Sequence, residues 1–99
     1  MEIPEKFNLM GETFVVVKNQ FLPENGLLGN INYNNRTVSL APTNGRLPYN
    51  EELTFYHELV HGILSKMKKD ELKKDEDFVD MFADLLLQYE NSKSGKYKK

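Results

Sequence analysis

The chain has 99 residues, of which 39% are hydrophobic and 28% charged, with a formal net charge of −2 and no cysteine. These values predict one globular domain, 1–99, with a modest core, and they exclude a disulfide framework, a thiolate metal ligand and the basic face that nucleic-acid binding requires. Because Met1-Glu2-Ile3-Pro4 begins no signal peptide and no apolar run reaches the length of a membrane span, we expect a cytoplasmic protein without membrane contacts.

The first half of the chain has the apolar periodicity of β-strands. The continuous valines from Val15 to Val17 predict burial on both faces and therefore a central strand. Asn34-Asn35 tolerates positive φ and predicts a hairpin between the strands on either side of it. Four strands are predicted in all, over 6–10, 13–18, 28–33 and 36–40, with the first turn at Gly11-Glu12.

The second half has the periodicity of α-helices. Helices are predicted over 50–68 and 75–90, each capped by the polar side chain of its first residue. The charged segment 70–74 between them is predicted to form about one helical turn, and 91–99 to form a flexible tail. The predicted core-facing residues are Leu53, Tyr56, Val60, Ile63, Leu64 and Met67 in the first helix and Val79, Phe82, Ala83 and Leu86 in the second. Strands followed by helices indicate an α+β fold.

The only two histidines of the chain, His57 and His61, lie four residues apart in the first predicted helix. Residues at this spacing share a helix face, with Cβ atoms roughly 5–6 Å apart, so both imidazoles can bind one Zn²⁺ ion. Glu58 lies one position further round the helix, too far off that face to be an ideal ligand, but its carboxylate can reach a water molecule at the metal. This is the H-E-x-x-H arrangement of zinc-dependent hydrolases, in which the glutamate is the general base.

The third ligand of such a site has to be a carboxylate, because the chain has no cysteine and no third histidine. Glu76 and Asp80 lie four residues apart beside Val79 and Ala83, which predicts that their shared face turns toward the core. Inward carboxylates are costly unless a metal or a histidine compensates them. Glu76 is therefore the predicted ligand, and Asp80 is predicted to accept the free N–H of a coordinating histidine. The competing interpretation of both acids is a solvated helix face.

The segment from His57 through Glu58 to His61, followed by Glu76-x-x-x-Asp80, resembles the pattern of gluzincin metallopeptidases. The short chain and its order of elements look most like the minigluzincins and the small ImmA/IrrE-like metallopeptidases of phages and mobile elements. The resemblance implies a small zincin-like domain, in which an antiparallel or mixed sheet of three to four strands precedes an active-site helix and a glutamate helix. It also implies one Zn²⁺ ion, with Asp80 supporting His57.

The same resemblance implies that an edge strand upstream of the active-site helix binds an extended protein or peptide substrate by β-augmentation. A cytoplasmic regulator protein is one candidate substrate. The candidate edge strand consists of Leu28, Gly29, Asn30, Ile31, Asn32 and Tyr33.

The pattern departs from larger relatives in two ways. The metzincin continuation is absent, because Leu64 and Met67 stand where its glycine and histidine would be. There is also no further histidine to stabilise a transition-state oxyanion, so weak or substrate-restricted activity is expected. Tyr33, Tyr89 and Tyr97 are the candidate substitutes.

Two functions fit the sequence. One is a zinc metalloendopeptidase in which Glu58 takes a proton from water and passes it to the leaving amine. The other is a peptidase-fold protein that binds a protein partner without turnover and uses zinc as a structural staple for a small core. A further hypothesis is that the tail around Tyr97 folds back and blocks the cleft, as in latent minigluzincins.

Overall fold

The computed structural model describes residues 3–22, 28–42 and 48–93. Within these ranges a four-stranded mixed sheet is followed by helices, which confirms the predicted α+β class. The strands are β1 (Lys6–Leu9), β2 (Glu12–Lys18), β3 (Gly29–Asn32) and β4 (Thr37–Leu40). The helices are α1 (Pro48–Lys66), α2 (Asp70–Lys74) and α3 (Glu76–Lys93). None of the described helices is long and apolar enough to cross a membrane.

The sheet has the strand order β1-β2-β4-β3. The pairs β1–β2 and β3–β4 are antiparallel hairpins, and β2 pairs with β4 in parallel. β2 is therefore central, as predicted, and β3 is an edge strand. The predicted burial of the valine run on both faces is wrong, because Val15 and Val17 are exposed. The helices cover one face of the sheet, and alternate residues of β2 point to the other face.

Each hairpin turn contains left-handed backbone, but in the second turn the positive φ lies at Arg36 and not at the predicted Asn34-Asn35. The first turn lies at Met10-Gly11, one residue earlier than predicted, with φ values of 48° and 81°. Positive φ at both central residues is the geometry that matches the twist of a two-residue hairpin. In the second turn the side-chain oxygen of Asn32 accepts hydrogen bonds from the backbone N–H groups of Asn34 and Asn35, at 3.0 and 3.1 Å.

Helix α1 lies between the sheet and α3. It begins at Pro48, whose fixed φ suits a first helical position, so the predicted cap at Asn50 is wrong. Asn50 lies in the first turn, and its carbonyl accepts a hydrogen bond from the hydroxyl of Thr54. The buried core combines Phe14, Val38 and Leu40 of the sheet, Phe55, Tyr56, Val60 and Leu64 of α1, and Val79, Ala83 and Leu87 of α3.

Gly62 sets the distance between α1 and the sheet. A Cβ atom at this position would lie 3.2 Å from Cδ1 of Ile31 and 3.3 Å from Cδ1 of Leu9. These distances are tight, so a methyl group at this position would require the ends of the Ile31 and Leu9 side chains to shift by a few tenths of an ångström. The mid-helix glycine, which costs about 1 kcal/mol of helix propensity relative to alanine, therefore serves packing.

Helix α3 begins with the predicted cap, since the Phe78 N–H donates to the side-chain oxygen of Asp75 at 3.1 Å. The helix continues to Lys93 and buries Asn91, so the predicted start of the tail at Asn91 is wrong. Residues 94–99, including Tyr97, lie outside the described residues. In the described part of the chain, α3 packs against α1 and α2 but not against the sheet.

The predicted core stripes are wrong at two positions. Met67, the first residue after α1, and Phe82 in α3 are both exposed. The buried row of α3 consists of Val79, Ala83, Leu87 and Asn91, which are spaced four residues apart. Because α3 has apolar residues on more than one side, periodicity alone does not identify the side that faces α1.

Candidate metal centre

The two histidines of α1 converge as helical spacing requires. The Nε2 atoms of His57 and His61 are 3.1 Å apart, and the ring centroids are 4.7 Å apart. Both side chains are largely buried, on the side of α1 that faces α3. Two ring nitrogens at this distance repel each other through their lone pairs unless a proton or a cation lies between them.

Glu76, the first residue of α3, completes a group of three. One of its carboxylate oxygens lies 3.1 Å from Nε2 of His57, and the other lies 3.4 Å from Nε2 of His61. All three ligand atoms lie within 4.8 Å of one another, so the group could hold a metal ion. The single turn of α2 reverses the chain between α1 and α3, and this reversal brings a residue fifteen positions after His61 back to it.

Asp80 lies behind His57. Its Oδ1 atom is 2.7 Å from Nδ1 of His57, which is hydrogen-bonding distance. If Nδ1 carries the proton and donates it to the carboxylate, Nε2 of His57 presents a lone pair to His61 and Glu76. The contact therefore orients the ring and, in this tautomer, directs the Nε2 lone pair toward the group that could hold a metal ion.

Glu76 and Asp80 turn toward the histidines, but the prediction that their shared face turns into the core is wrong. The side chains of Glu76 and Asp80 are 61% and 67% exposed, whereas those of His57 and His61 are 23% and 13% exposed. The acids stand at the mouth of the gap between α1 and α3, where they reach the histidines without entering the core. The group is therefore buried on the α1 side and open to solvent on the α3 side.

Glu58 borders a cleft of about 550 Å³ next to the metal group. The cleft lies between the start of β3, α1 and α3. It is lined by Leu28, Gly29, Leu53, Thr54, His57, Glu58, Asp80, Ala83 and Asp84. Glu58 is only 8% exposed. Burial raises the pKa of its carboxyl from 4.5 to about 7, with His57 opposing the shift and Glu76 adding to it. A carboxyl with this pKa exchanges protons near neutral pH.

The edge strand β3 passes directly over Glu58. A Cβ atom on Gly29 would lie 2.6 Å from Cγ2 of Thr54 and 3.3 Å from a carboxylate oxygen of Glu58. Of the predicted edge-strand residues, Leu28 and Gly29 line the cleft, Ile31 packs on the core, and Asn30 and Asn32 are exposed. The strand itself covers Gly29–Asn32, so Leu28 and Tyr33 flank it.

Of the two candidate tyrosines that the structure describes, Tyr33 and Tyr89, only Tyr33 has the metal group in its surroundings. Burial raises the pKa of its hydroxyl, and the nearby carboxylates of Glu58 and Glu76 raise it further. The ammonium of Lys73 lies 4.9 Å from the centroid of the Tyr33 ring, a cation–π distance. Tyr89 lies exposed on α3, lining a groove that contains none of the metal group.

Sequence reasoning missed Lys73 and Asp84. Burial lowers the pKa of His61, and the positive charges of His57 and Lys73 lower it further against the opposing effect of Glu76, so Lys73 belongs to the electrostatic surroundings of the site. The Tyr49 hydroxyl donates a hydrogen bond to the carboxylate of Asp84, which joins the start of α1 to α3 beside the cleft. No spacing rule indicates either contact, because both depend on how α2 and α3 dock.

The described geometry thus establishes a group of two imidazoles and one carboxylate, with a second carboxylate on His57 and a buried glutamate in the adjoining cleft. Comparisons with protein-family models, with curated protein sequences and with solved structures found no match to this chain.

The Gly29–Thr54 approach generates a first prediction. Gly29→Ala should reduce the free energy of unfolding by about 1–3 kcal/mol, because the new methyl meets a branched side chain at overlapping distance. Thr54→Ser removes the opposing methyl and keeps the hydroxyl that bonds to Asn50. Urea unfolding of the wild type, both single variants and the double variant should show that Thr54→Ser restores most of the loss. A double variant as unstable as Gly29→Ala alone would contradict the contact.

A second prediction concerns the pH dependence of the metal-free protein. The folded-state pKa of Glu58 is raised above its unfolded value, so its contribution to stability is fully present below pH 4.5 and is lost as pH rises through about 7. Relative to Glu58→Gln, the wild type should therefore lose about 1–3 kcal/mol of unfolding free energy across that window. Urea unfolding of both proteins in the presence of a chelator measures the difference. Because His61 titrates in both proteins, its own contribution largely cancels in the comparison. A difference that does not change with pH would show that Glu58 is not desolvated.

Proposed function

We propose that this chain is a zinc-dependent metallopeptidase of gluzincin type, built on a small zincin-like fold, that hydrolyses peptide bonds in a protein or peptide substrate. The observation that carries the proposal is the convergence of His57, His61 and Glu76, with Asp80 on the far nitrogen of His57 and Glu58 beside the group. The buried carboxylate of Glu58, which borders the adjoining cleft, favours a catalytic metal, because a structural metal site does not require such a group.

The distances within the group fit zinc. Two ligand atoms each about 2.0–2.1 Å from a tetrahedral zinc ion lie roughly 3.3–3.4 Å apart. Nε2 of His57 lies 3.1 Å from Nε2 of His61 and 3.1 Å from one carboxylate oxygen of Glu76, whose other oxygen lies 3.4 Å from Nε2 of His61. Only small side-chain shifts would therefore bring the atoms into coordinating positions. Two histidines and a glutamate form a ligand set that catalytic zinc sites use, and three protein ligands leave one position for water or substrate.

In the proposed reaction, bound zinc would supply Lewis-acid polarisation of the scissile carbonyl and lower the pKa of a water molecule. Glu58 accepts the proton of the attacking water on its carboxylate and delivers it to the nitrogen of the leaving amine as the C–N bond breaks. Asp80 holds His57 in the tautomer and orientation that direct Nε2 toward the centre of the group.

The substrate proposed for this site is an extended peptide segment. β3 hydrogen-bonds to β4 along one side only, so its other side offers backbone groups for an added strand. Gly29 places this strand against Glu58, which would align an added peptide with the general base. A cytoplasmic regulator protein stays the predicted source of such a segment.

We assign the oxyanion-stabilising role to Tyr33. Its hydroxyl responds to the charges of Glu58 and Glu76, and Lys73 packs over its ring. A tyrosine O–H that donates to the developing oxyanion can stabilise it without itself changing charge. Tyr33 would thereby replace the histidine that larger gluzincins use.

The proposal is tested with Glu58→Gln. This variant keeps the shape of the side chain but cannot accept a proton, so kcat on a peptide substrate identified by library screening should fall by about 10²–10⁴-fold while zinc affinity is retained. Zinc content is measured by competition with a chromogenic chelator, and turnover by mass spectrometry of the products.

The matched control is Glu71→Gln, which neutralises an exposed acid of α2 outside the metal group and should leave turnover unchanged. Turnover by Glu58→Gln at the wild-type rate would disprove the assigned role. A wild type that binds zinc with His57, His61 and Glu76 but hydrolyses no peptide in the library would favour the partner-binding alternative.

A further prediction separates Tyr33 from the other tyrosines. Tyr33→Phe should lower kcat by roughly 10–100-fold with little change in KM or zinc affinity, because the lost hydrogen bond forms only in the transition state. Tyr89→Phe removes the same atom from an exposed position on α3 and should have no effect. Equal kcat values for the two variants would remove Tyr33 from the mechanism.

A further inference from the structure

Helix α3 carries a second apolar surface that the proposed peptidase site does not use. Met81, Phe82, Leu85 and Tyr89 are 62%, 47%, 56% and 59% exposed. Together with Phe78 and Leu86 they line a groove of about 420 Å³ along the outer side of the helix. We call these six residues the outer stripe. Contiguous exposed apolar surface of this kind marks an interaction site in a monomeric protein more often than chance exposure does.

Most of the outer stripe lies away from the core, and only Phe78 and Leu86 at its edges pack partly against it. The apolar residues of the buried row of α3, Val79, Ala83 and Leu87, face α1, and the stripe occupies the side that has no neighbour among the described elements. The rings of Phe78 and Phe82 stack edge to face at 5.6 Å and form a preordered end of the groove. Helix α3 is thus apolar on two sides, one of which the described fold leaves uncovered.

The spacing of the stripe indicates the shape of the occupant. Phe78, Phe82, Leu85 and Tyr89 are separated by four, three and four residues, which is the spacing of the a and d positions in a heptad. Such a row presents a narrow apolar seam along a helix, and a second helix covers it most completely. An amphipathic helix lying in a groove is also a recurring mode of peptide recognition.

Charge indicates the chemistry of the occupant. Helix α3 contains five acidic residues and one basic residue, Lys93, which is paired with Glu90 at 3.2 Å. Asp77 and Asp84 form a row at seven-residue spacing between the stripe and the cleft, and the Asp84 carboxylate also accepts the hydrogen bond from Tyr49. A second copy of this chain would place two such acidic helices side by side, and an anionic membrane surface would be repelled in the same way.

We propose that the outer stripe of α3 docks an amphipathic helix of another protein, whose apolar face is flanked by lysine or arginine residues. The apolar seam provides the contact area, and the acidic row selects the basic flanks and excludes self-association. The site is separate from the metal group, because Glu76 and Asp80 point toward the histidines of α1. The inference therefore goes beyond the proposed peptidase activity and does not depend on it.

The test uses the full chain and two synthetic helical peptides of about 21 residues, or three heptads. Both peptides carry leucine at the a and d positions; one has lysine and the other glutamate at the flanking positions. Fluorescence anisotropy should show that the lysine peptide binds at least about tenfold more tightly than the glutamate peptide. Analytical ultracentrifugation should show that the free chain is monomeric at the concentrations used.

Two double variants identify the surface. Phe82→Gln/Leu85→Gln removes the centre of the stripe without changing charge and should weaken binding of the lysine peptide by at least about tenfold. Met67→Gln/Leu72→Gln replaces two exposed apolar residues outside the stripe and should bind like the wild type. Far-UV circular dichroism verifies that both variants fold, and Tyr89→Gln alone replaces the first variant if it does not.

Three results would overturn the proposal. The first is absence of binding, or equal affinity for the two peptides. The second is a stripe variant that binds the lysine peptide as tightly as the control variant does. The third is a dimer of the free chain that dissociates in the stripe variant, which would make a second copy the occupant.

Discussion

The site depends on one close approach between two helices. Two imidazole nitrogens on α1 face a carboxylate from the first turn of α3, at 3.1 and 3.4 Å. Such a cluster of lone pairs and negative charge is unfavourable unless a proton or a metal ion lies inside it. The rest of the fold holds these three groups together, so docking α3 on α1 offsets the cost of bringing them into an arrangement that could hold a metal ion. A cation bound there would in turn stabilise the docking of α3, since metal binding and folding are linked.

The two glycines show how the backbone sets this geometry. Gly62 lets the middle of α1 lie close to the side chains of Ile31 and Leu9, and Gly29 lets the edge strand pass over Thr54 and Glu58. Both contacts lie on the side of α1 that faces the sheet, whereas the histidines face α3. The same helix therefore packs against the sheet on one side and presents its two histidines to α3 on the other. The depth of Glu58, and with it the raised pKa of its carboxyl, follows from how closely β3 covers it.

The parts of the site that the sequence predicts are those set by local geometry. The spacing of His57 and His61 fixes their shared face on any helix, and the Asp75 cap fixes where α3 starts, so Glu76 and Asp80 occupy its first two turns. The parts that it does not predict depend on how elements dock. The burial of Asn91, the exposure of Phe82 and the position of Lys73 over Tyr33 all depend on the rotation of α3 and the path of α2. Apolar periodicity identifies that a helix is amphipathic but does not choose between two apolar sides.

That ambiguity in α3 has a physical origin. A chain of this size buries a limited area, and α3 reaches the sheet only through α1, so one apolar row is enough to hold it. The four exposed residues of the outer stripe therefore add nothing to the described core, to which only Phe78 and Leu86 contribute. Exposed phenylalanine, leucine and methionine side chains lower solubility and favour aggregation. Helix propensity does not account for them either, because glutamate or lysine would maintain the helix equally well at exposed positions. An apolar seam at heptad spacing beside an acidic row is consistent with a contact that forms outside the described fold. The helix that supplies Glu76 on one side would then be in contact with a partner on the other.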